Sequence, residues 1–387
     1  MPEKTKRKAN PRRRTLMRLI IGIGLMIALI GGAIQILRPK GAEIVYIALD
    51  QNGIEQVWLV NLNNPDNPRQ LTEFDHPMLN VWQLQSASNA PIIVFYTYRE
   101  DNADVSALWQ YDIKRDRITL IQQYPLEDDY SKRPHYNWSL NSSGTQLALT
   151  YENHDQSHFL INLHTQEEFE ITNSIGNRNS IWVTNDERLI LPIERIGDYG
   201  MFDELVYASY DVELEQIIGA QFIRTSVWNY PMVSSDGNYY AIPEDTNVGR
   251  HLLYGVGIYE TDTNELVLRE EQNLDDTSFL GQTQIFDWHP SEPTVLVAET
   301  WEDIEMGSVS VDLKLYNALS HTEIYLLTDN QRQIYDVTFN HDGTQILISS
   351  RNQMTNELFI SLVNTETGEE TPLPIFGTQP HWVNGGR

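Results

Sequence analysis

Twenty acidic side chains of this 387-residue chain gather in six stretches that lack any apolar rhythm: 99–105, 124–135, 194–204, 243–251, 269–281 and 299–307. Carboxylates at that density attract ammonium and guanidinium groups or a bridging divalent cation. Aromatic and apolar residues are interleaved with them, and solubility has no need of a tryptophan or a phenylalanine. The candidate binding set is therefore Glu100, Asp101, Asp104, Tyr130, Asp198, Phe202, Asp203, Asp275, Asp276, Trp301 and Asp303. The plainer reading of the same residues is a solvated acidic surface.

Other chemistries find less support. The chain has no cysteine, which removes disulfides, thiolate metal sites and a cysteine nucleophile. No G-x-S-x-G elbow and no phosphate-binding glycine loop occurs. His154 and His158 are four apart, but in a stretch without helical pattern, so they are weak as a metal pair. His289, His341 and His381 read as turn or packing residues. Asp101-Asn102-Ala103-Asp104 lacks the twelve-residue calcium-loop pattern. No metal or other cofactor is expected.

The elements that must hold these loops are strands. From residue 43 onward, short apolar runs rich in β-branched and aromatic residues alternate with turn residues, as in Val45–Ala48, Ile92–Tyr98, Phe159–Leu163 and Leu358–Val363. One unit recurs: an aromatic or apolar residue, a polar turn, then an apolar strand. WSLNSSGTQLAL from Trp138 and FNHDGTQILIS from Phe339 are the clearest copies. Markers fall at Trp82, Trp138, Trp182, Met232, Trp288, Phe339 and Trp382, about fifty residues apart. The recurring tryptophans read as sheet-packing residues. Four strands per unit at such a period make a β-propeller blade. The first unit lacks an inner strand, and Gln379–Val383 is an inner strand with nothing after it. Pairing that strand with Glu43–Ala48 gives seven blades, with six as the alternative, and removes two exposed sheet edges.

These hairpins resemble the TolB-like, WD-type propeller repeats. The family's W-S-P-D-G hairpin is echoed by Trp138-Ser139 followed by Ser143-Gly144, and by Asp236-Gly237 and Asp342-Gly343. The resemblance covers about 340 residues and implies a fold rather than an activity. Strand alternation sorts the loops by face. Turns between first and second strands are tight. Loops between second and third strands (Arg99–Val105, Glu194–Glu204, Pro243–His251, Glu299–Gly307), and the blade-to-blade links Tyr124–His135 and Arg269–Gly281, are long and share the opposite face.

Ahead of the strands the charge reverses. Residues 1–18 hold eight basic residues and one acid, whereas residues 41–387 hold 17 basic and 53 acidic ones. The acidic body argues against nucleic-acid binding. Leu19–Leu37 is uncharged, and eleven of its nineteen residues are Leu or Ile. As a helix it would reach about 28 Å, enough to cross a bilayer. The expected organisation is a basic cytoplasmic tail (1–18), a single transmembrane signal-anchor helix (19–37), a linker (38–42) and a propeller (43–387). The basic flank places the N-terminus inside and the propeller outside the cytoplasmic membrane. A secretory signal is the competing reading, but its apolar region is ordinarily shorter. Because the first strand starts on the tight-turn face, that face is expected near the bilayer and the acidic loops away from it. The expected function is protein or ligand binding in the cell envelope, with a cationic partner. The alternative is a propeller-type hydrolase or lyase with a metal in its central channel, which requires several His, Asp or Glu side chains at the axis.

Overall fold

The computed structural model describes residues 42–383, apart from 78, 100–105, 125–136, 151–157, 172–179, 184–185, 196–203, 225–230, 244–245, 249–250, 264, 275–278, 304–307 and 330. The expected tail and transmembrane segment lie outside the described residues. Among the described residues there is no helix, and so none long and apolar enough to cross a membrane.

The described residues form 29 strands. The first blade contains β1 (Glu43–Leu49), β2 (Glu55–Asn61) and β3 (Arg69–Gln70). The second is β4 (Leu79–Ser86), β5 (Ile92–Arg99), β6 (Ser106–Asp112) and β7 (Arg117–Tyr124). The third is β8 (Asn137–Leu140), β9 (Gln146–Thr150), β10 (His158–Asn162) and β11 (Glu168–Ile171). The fourth is β12 (Ile181–Val183), β13 (Arg188–Arg195), β14 (Glu204–Asp211) and β15 (Gln216–Arg224). The fifth is β16 (Met232–Val233), β17 (Tyr239–Pro243), β18 (Thr246–Val248), β19 (His251–Glu260) and β20 (Leu266–Leu274). The sixth is β21 (Phe279–Trp288), β22 (Thr294–Asp303), β23 (Ser308–Asn317) and β24 (Thr322–Asp329). The seventh is β25 (Arg332–Phe339), β26 (Gln345–Asn352), β27 (Leu358–Asn364) and β28 (Glu370–Pro372).

The last strand, β29 (Thr378–Val383), completes the first blade. It pairs antiparallel with β1, with Glu43 opposite Val383 and Ile44 opposite Trp382. The ring is thus a seven-bladed β-propeller, closed by the expected pairing of both ends of the strand array.

Seven apolar clusters explain the continuous apolar runs. One lies between each pair of neighbouring blades. In β1, Val45 and Ile47 pack toward the second blade, while Ile44 and Tyr46 pack toward the seventh. Both faces of a middle strand are buried, so the sequence shows no polar alternation there.

The repeat markers resolve into two kinds. Trp182, Trp288 and Trp382 lie at or one residue before the ends of the inner strands of the fourth, sixth and first blades. Each donates its indole N–H to the preceding blade, at 3.0 Å to Ser139 O, 2.9 Å to Met232 O and 3.3 Å to Thr338 O. The three carbonyls are equivalent, since each residue pairs with the one nine further on. Trp138 sits two residues before the end of its inner strand and is buried between blades. Trp82 departs from the expected packing role. It lies four residues before the strand end, and 45% of it is exposed.

Blades also lock at the tight turns. Gly343 adopts φ +74°, and a Cβ there would fall 1.7 Å from His289 Nε2. His289 Nδ1 accepts the amides of Ser291 and Glu292 within its own turn. Gly343 therefore meets two demands at once, a left-handed backbone and room for the preceding blade's imidazole.

Candidate functional site in the axial channel

The inner strands β4, β8, β12, β16, β21, β25 and β29 surround the axis. Hydrogen bonds between neighbouring inner strands set the side chains that face it. Leu84 N donates to Gln379 Oε1 at 2.8 Å, and Ser86 Oγ donates to Trp382 O. Gln85 accepts from Leu140 N and donates to Trp138 O. Asp287 accepts from Phe339 N at 3.0 Å and from the Thr338 hydroxyl at 3.3 Å.

Several of these strands carry a bulge. Pairing slips between Trp82 and Leu84, between Ile285 and Asp287, between Ile334 and Asp336, and where β29 meets Val45 and Ile47. A bulge places an extra residue on one strand and re-aims the side chains around it. Here it brings polar side chains to the axis on the side formed by the sixth, seventh, first and second blades.

Two cavities run along this wall. The one at the tight-turn end is about 390 Å³ and is lined by Asn89, Ser142, Asp186, Ser235 and His341 at its rim, and by Asp287, Thr338 and His381 deeper in. The one at the long-loop end is about 700 Å³. Asn80, Trp82, Gln83, Gln85, Tyr98, Tyr335 and Asp336 line it, and His381 lines both. Aromatic rings line both: Trp182, Trp288, Phe339 and Trp382 the tight-turn cavity, and Trp82, Tyr98 and Tyr335 the long-loop, or upper, cavity, where Trp82 meets Tyr98 edge-on at 6.4 Å and Tyr335 is 37% exposed.

Burial sets the protonation of the axial groups. Desolvation pushes Asp287 up to about 6, against the hydrogen bonds it accepts from Phe339, Trp288 and Thr338. Asp336 is pushed up to about 7 by burial and then by the charge of Asp287. Burial drives His381 down to about 4, so its imidazole is neutral at physiological pH. The charge of Asp287 thus helps Asp336 to keep its proton up to about neutrality. Neither forms an ion pair among the described residues. Such a site can exchange protons or accept a cation. Among the described residues, no three His, Asp or Glu side chains group as metal ligands.

Most of the residues singled out from the sequence cannot be compared with this channel, and two lie in strands. Glu100, Asp101, Asp104, Tyr130, Asp198, Phe202, Asp203, Asp275 and Asp276 lie outside the described residues, as does His154. Trp301 and Asp303 were expected in a loop. They belong to β22, which runs on to pair with Phe279–Gly281 and Ser308–Ser310, so only 304–307 separates β22 from β23. Glu299, assigned to the same loop, is a buried strand residue. The segment 243–251 holds a short strand, β18, paired with β19. His158 is buried, with Thr150 Oγ1 2.8 Å and Ser180 Oγ 3.2 Å from its Nδ1, which is a packing role. His289 is a turn residue as expected, but His381 is a channel residue.

Comparison with known proteins agrees on architecture. No protein-family model matches the chain, and no curated protein matches it by sequence. Solved structures do match. An oligogalacturonate lyase in complex with manganese superposes with a TM-score of 0.55 at 10% identity, over 86% of this chain and 85% of that one. The periplasmic gluconolactonase PpgL of Pseudomonas aeruginosa gives 0.53 at 12% identity, over 88% and 99%. TolB from Acinetobacter baumannii gives 0.50 at 11% identity, over 88% of this chain and 66% of that one. At these identities the likeness shows the propeller fold alone. The TolB-like repeat read from the hairpins thus has a structural counterpart. The neighbours include enzymes as well as TolB, so they do not choose between catalysis and binding.

Proposed function

We propose that the protein is a binding module of the cell envelope. In this reading residues 19–37 hold it in the cytoplasmic membrane, residues 1–18 remain inside, and the propeller meets a protein partner or ligand outside. The charge reversal between residues 1–18 and the body supports the orientation. In the same reading the acidic stretches, with Glu100, Asp203 and Asp275 among them, first attract a cationic partner. The long-loop end of the axial channel receives it.

The observation that carries this reading is the upper cavity. It holds about 700 Å³ and joins exposed aromatic rings to unpaired polar groups. Cavities of that size, mostly apolar with a few converging polar atoms, are where ligands bind. The alternative of a metal-dependent hydrolase or lyase finds no matching ligand group among the described residues.

The test uses a photo-crosslinking residue in native membranes, placed at Trp82 or Tyr335 in one set and at Ser235 or Asp342 in the other. One discrete product from the first set and none from the second is expected. Products from the tight-turn set alone, or from neither, overturn the assignment of the binding face. Protease added from outside should digest the propeller and leave residues 1–14 protected. A soluble mature protein starting near Ile34 would replace the anchor with an export signal.

A further inference from the structure

We propose that the long-loop end of the channel binds an organic cation, an ammonium or guanidinium group, with Asp336 as its counter-ion and Trp82 and Tyr335 as its aromatic walls. This rests on the binding-module reading and names the chemistry of its ligand.

Asp336 supplies the charge. Its carboxyl lines the upper cavity and makes no ion pair, and its neighbouring amide, Val337, is the hydrogen-bond donor that acts on it. Arg351 is close by, but its guanidinium lies over the Tyr335 ring, 5.2 Å from the centroid, and not on Asp336. The other titratable groups facing the cavity are Glu55, which accepts the Val81 amide at 2.8 Å, and His381; Asp287 couples to Asp336 along the channel. Among the described residues, no cation pairs with Asp287 or Asp336. A bound cation would do so, displacing the protons that now separate the two charges.

The cavity also holds polar atoms awaiting partners. Gln83 Oε1 is a buried acceptor with no donor, and Asn80 Nδ2 is a buried donor with no acceptor. An ammonium or guanidinium serves Asp336 and Gln83 together. A carbonyl beside that cation, as in a peptide, serves Asn80. Trp82 is 45% exposed, and a π face attracts a cation; Tyr335, whose ring already carries Arg351 over one side, is 37% exposed and forms the second wall. A neutral polyol could meet the same amides but would leave the carboxyl charge uncompensated.

Backbone strain marks the same wall. Among the described residues, six of the eight non-glycine residues with positive φ lie between strands: Asp116, Gln166, Asp186, Glu215, His321 and Asn356. The other two, Gln83 (φ 48°) and Gln379 (φ 49°), lie inside inner strands, and both line this cavity. Strain kept inside a strand is a common mark of a binding wall.

The experiment is calorimetric titration of the full-length chain in detergent with three probes: agmatine, the peptide Gly-Arg-Gly capped by N-acetyl and C-amide groups, and the same capped peptide with citrulline, whose side chain is isosteric and neutral. The arginine peptide is expected to bind at least about tenfold more tightly than the citrulline peptide. Asp336→Asn should remove that preference, with its melting temperature reported alongside. Agmatine binding as tightly as the peptide assigns the site to a small free cation; binding of the arginine peptide alone assigns it to a partner's side chain. Equal binding of arginine and citrulline peptides, or no binding by either, overturns the inference. So does a folded Asp336→Asn protein that keeps the preference. If that variant fails to fold, the wild-type comparison still decides. Crosslinks from Trp82 that persist when no cation binds would leave the binding-module reading standing and remove only the cation.

Discussion

Two groups of buried ionisable side chains occupy neighbouring parts of the ring, and they are built in opposite ways. In the sixth blade, Lys314 is fully buried and its Nζ lies 2.7 Å from Glu299 and 2.9 Å from Glu323. Tyr316 donates to Glu299 at 3.0 Å, and the Tyr325 ring lies 4.5 Å from the ammonium. Burial alone would lower the Lys314 pKa, but its hydrogen bonds to Glu299 and Glu323 prevail and raise it above the ordinary lysine range. Burial, then the charges of the two glutamates, raises Tyr316 as well. At the axis, Asp287, Asp336 and His381 have no such complement. Burial there is answered by protonation of the acids and neutrality of the imidazole, not by pairing. A closed network fixes how blades pack; an open one waits for a ligand.

The largest effect should come from breaking the closed network. Lys314→Ala takes away the ammonium beside Glu299, a side chain only 1% exposed. Removing one partner of such a pair costs about 3–5 kcal/mol. Chemical denaturation should show that loss, and Lys314→Met combined with Glu299→Leu should recover much of it. A Lys314→Ala protein of unchanged stability would mean that the network contributes nothing to packing.

The next effect separates the two groups by pH. For Asp336 the folded pKa, about 7, lies above the unfolded one, so its term favours folding at low pH and is lost as pH rises from about 4 to 7. For His381 the folded pKa, about 4, lies below the unfolded value near 6.5. Its term is present above about pH 6.5 and is lost as pH falls toward 4. The two slopes oppose each other between pH 4 and 6.5. Asp336→Asn should make stability rise more steeply with pH across that window, and His381→Gln should make it fall. Each change is on the order of 1–3 kcal/mol. Lys314→Met combined with Glu299→Leu, which removes the ammonium and its buried carboxylate together, should leave the slope in this window nearly unchanged. Melting temperatures from pH 4 to 7.5 measure all three, and parallel curves would show that the channel groups do not titrate as a unit apart from the sixth blade.

The contrast was only half legible in the sequence. The fold was, because turn chemistry and apolar runs repeat about every fifty residues and because β29 is an orphan strand whose partner, β1, is an orphan too. The channel was not. Asp287 directly precedes the marker Trp288, Asp336 lies three residues before Phe339, and His381 directly precedes Trp382. A polar residue in an inner strand just before the marker is the available signal, since inner strands place alternate side chains toward the axis. It was obscured because bulges shift that alternation by one residue and differ between blades. The network was missed for another reason: Glu299 was read as the start of a loop, whereas β22 and β23 continue past it as a ten-residue pair. Acid-rich composition signals a surface, but long paired strands can carry acids inside.

The smallest effect sharpens the contrast at two tryptophans that the repeat makes look alike. Trp288 is buried, belongs to the cluster between the fifth and sixth blades, and donates to Met232 O. Trp288→Phe keeps most of the apolar contact and loses that donor, leaving a carbonyl short of a partner, so it should cost about 1 kcal/mol. Trp82 lies at the mouth of the upper cavity and is 45% exposed. Trp82→Phe should change stability by less than about 0.5 kcal/mol, as exposed substitutions usually do. It should nonetheless weaken a cation in the channel about two- to fivefold, because a phenyl ring is the weaker cation–π partner. Denaturant midpoints and titration with the arginine peptide, run on both variants, read the two roles separately. Stability lost at Trp82, or affinity lost at Trp288 alone, would reverse the assignment, making the channel mouth a packing surface and the inter-blade tryptophan the one that reaches the ligand.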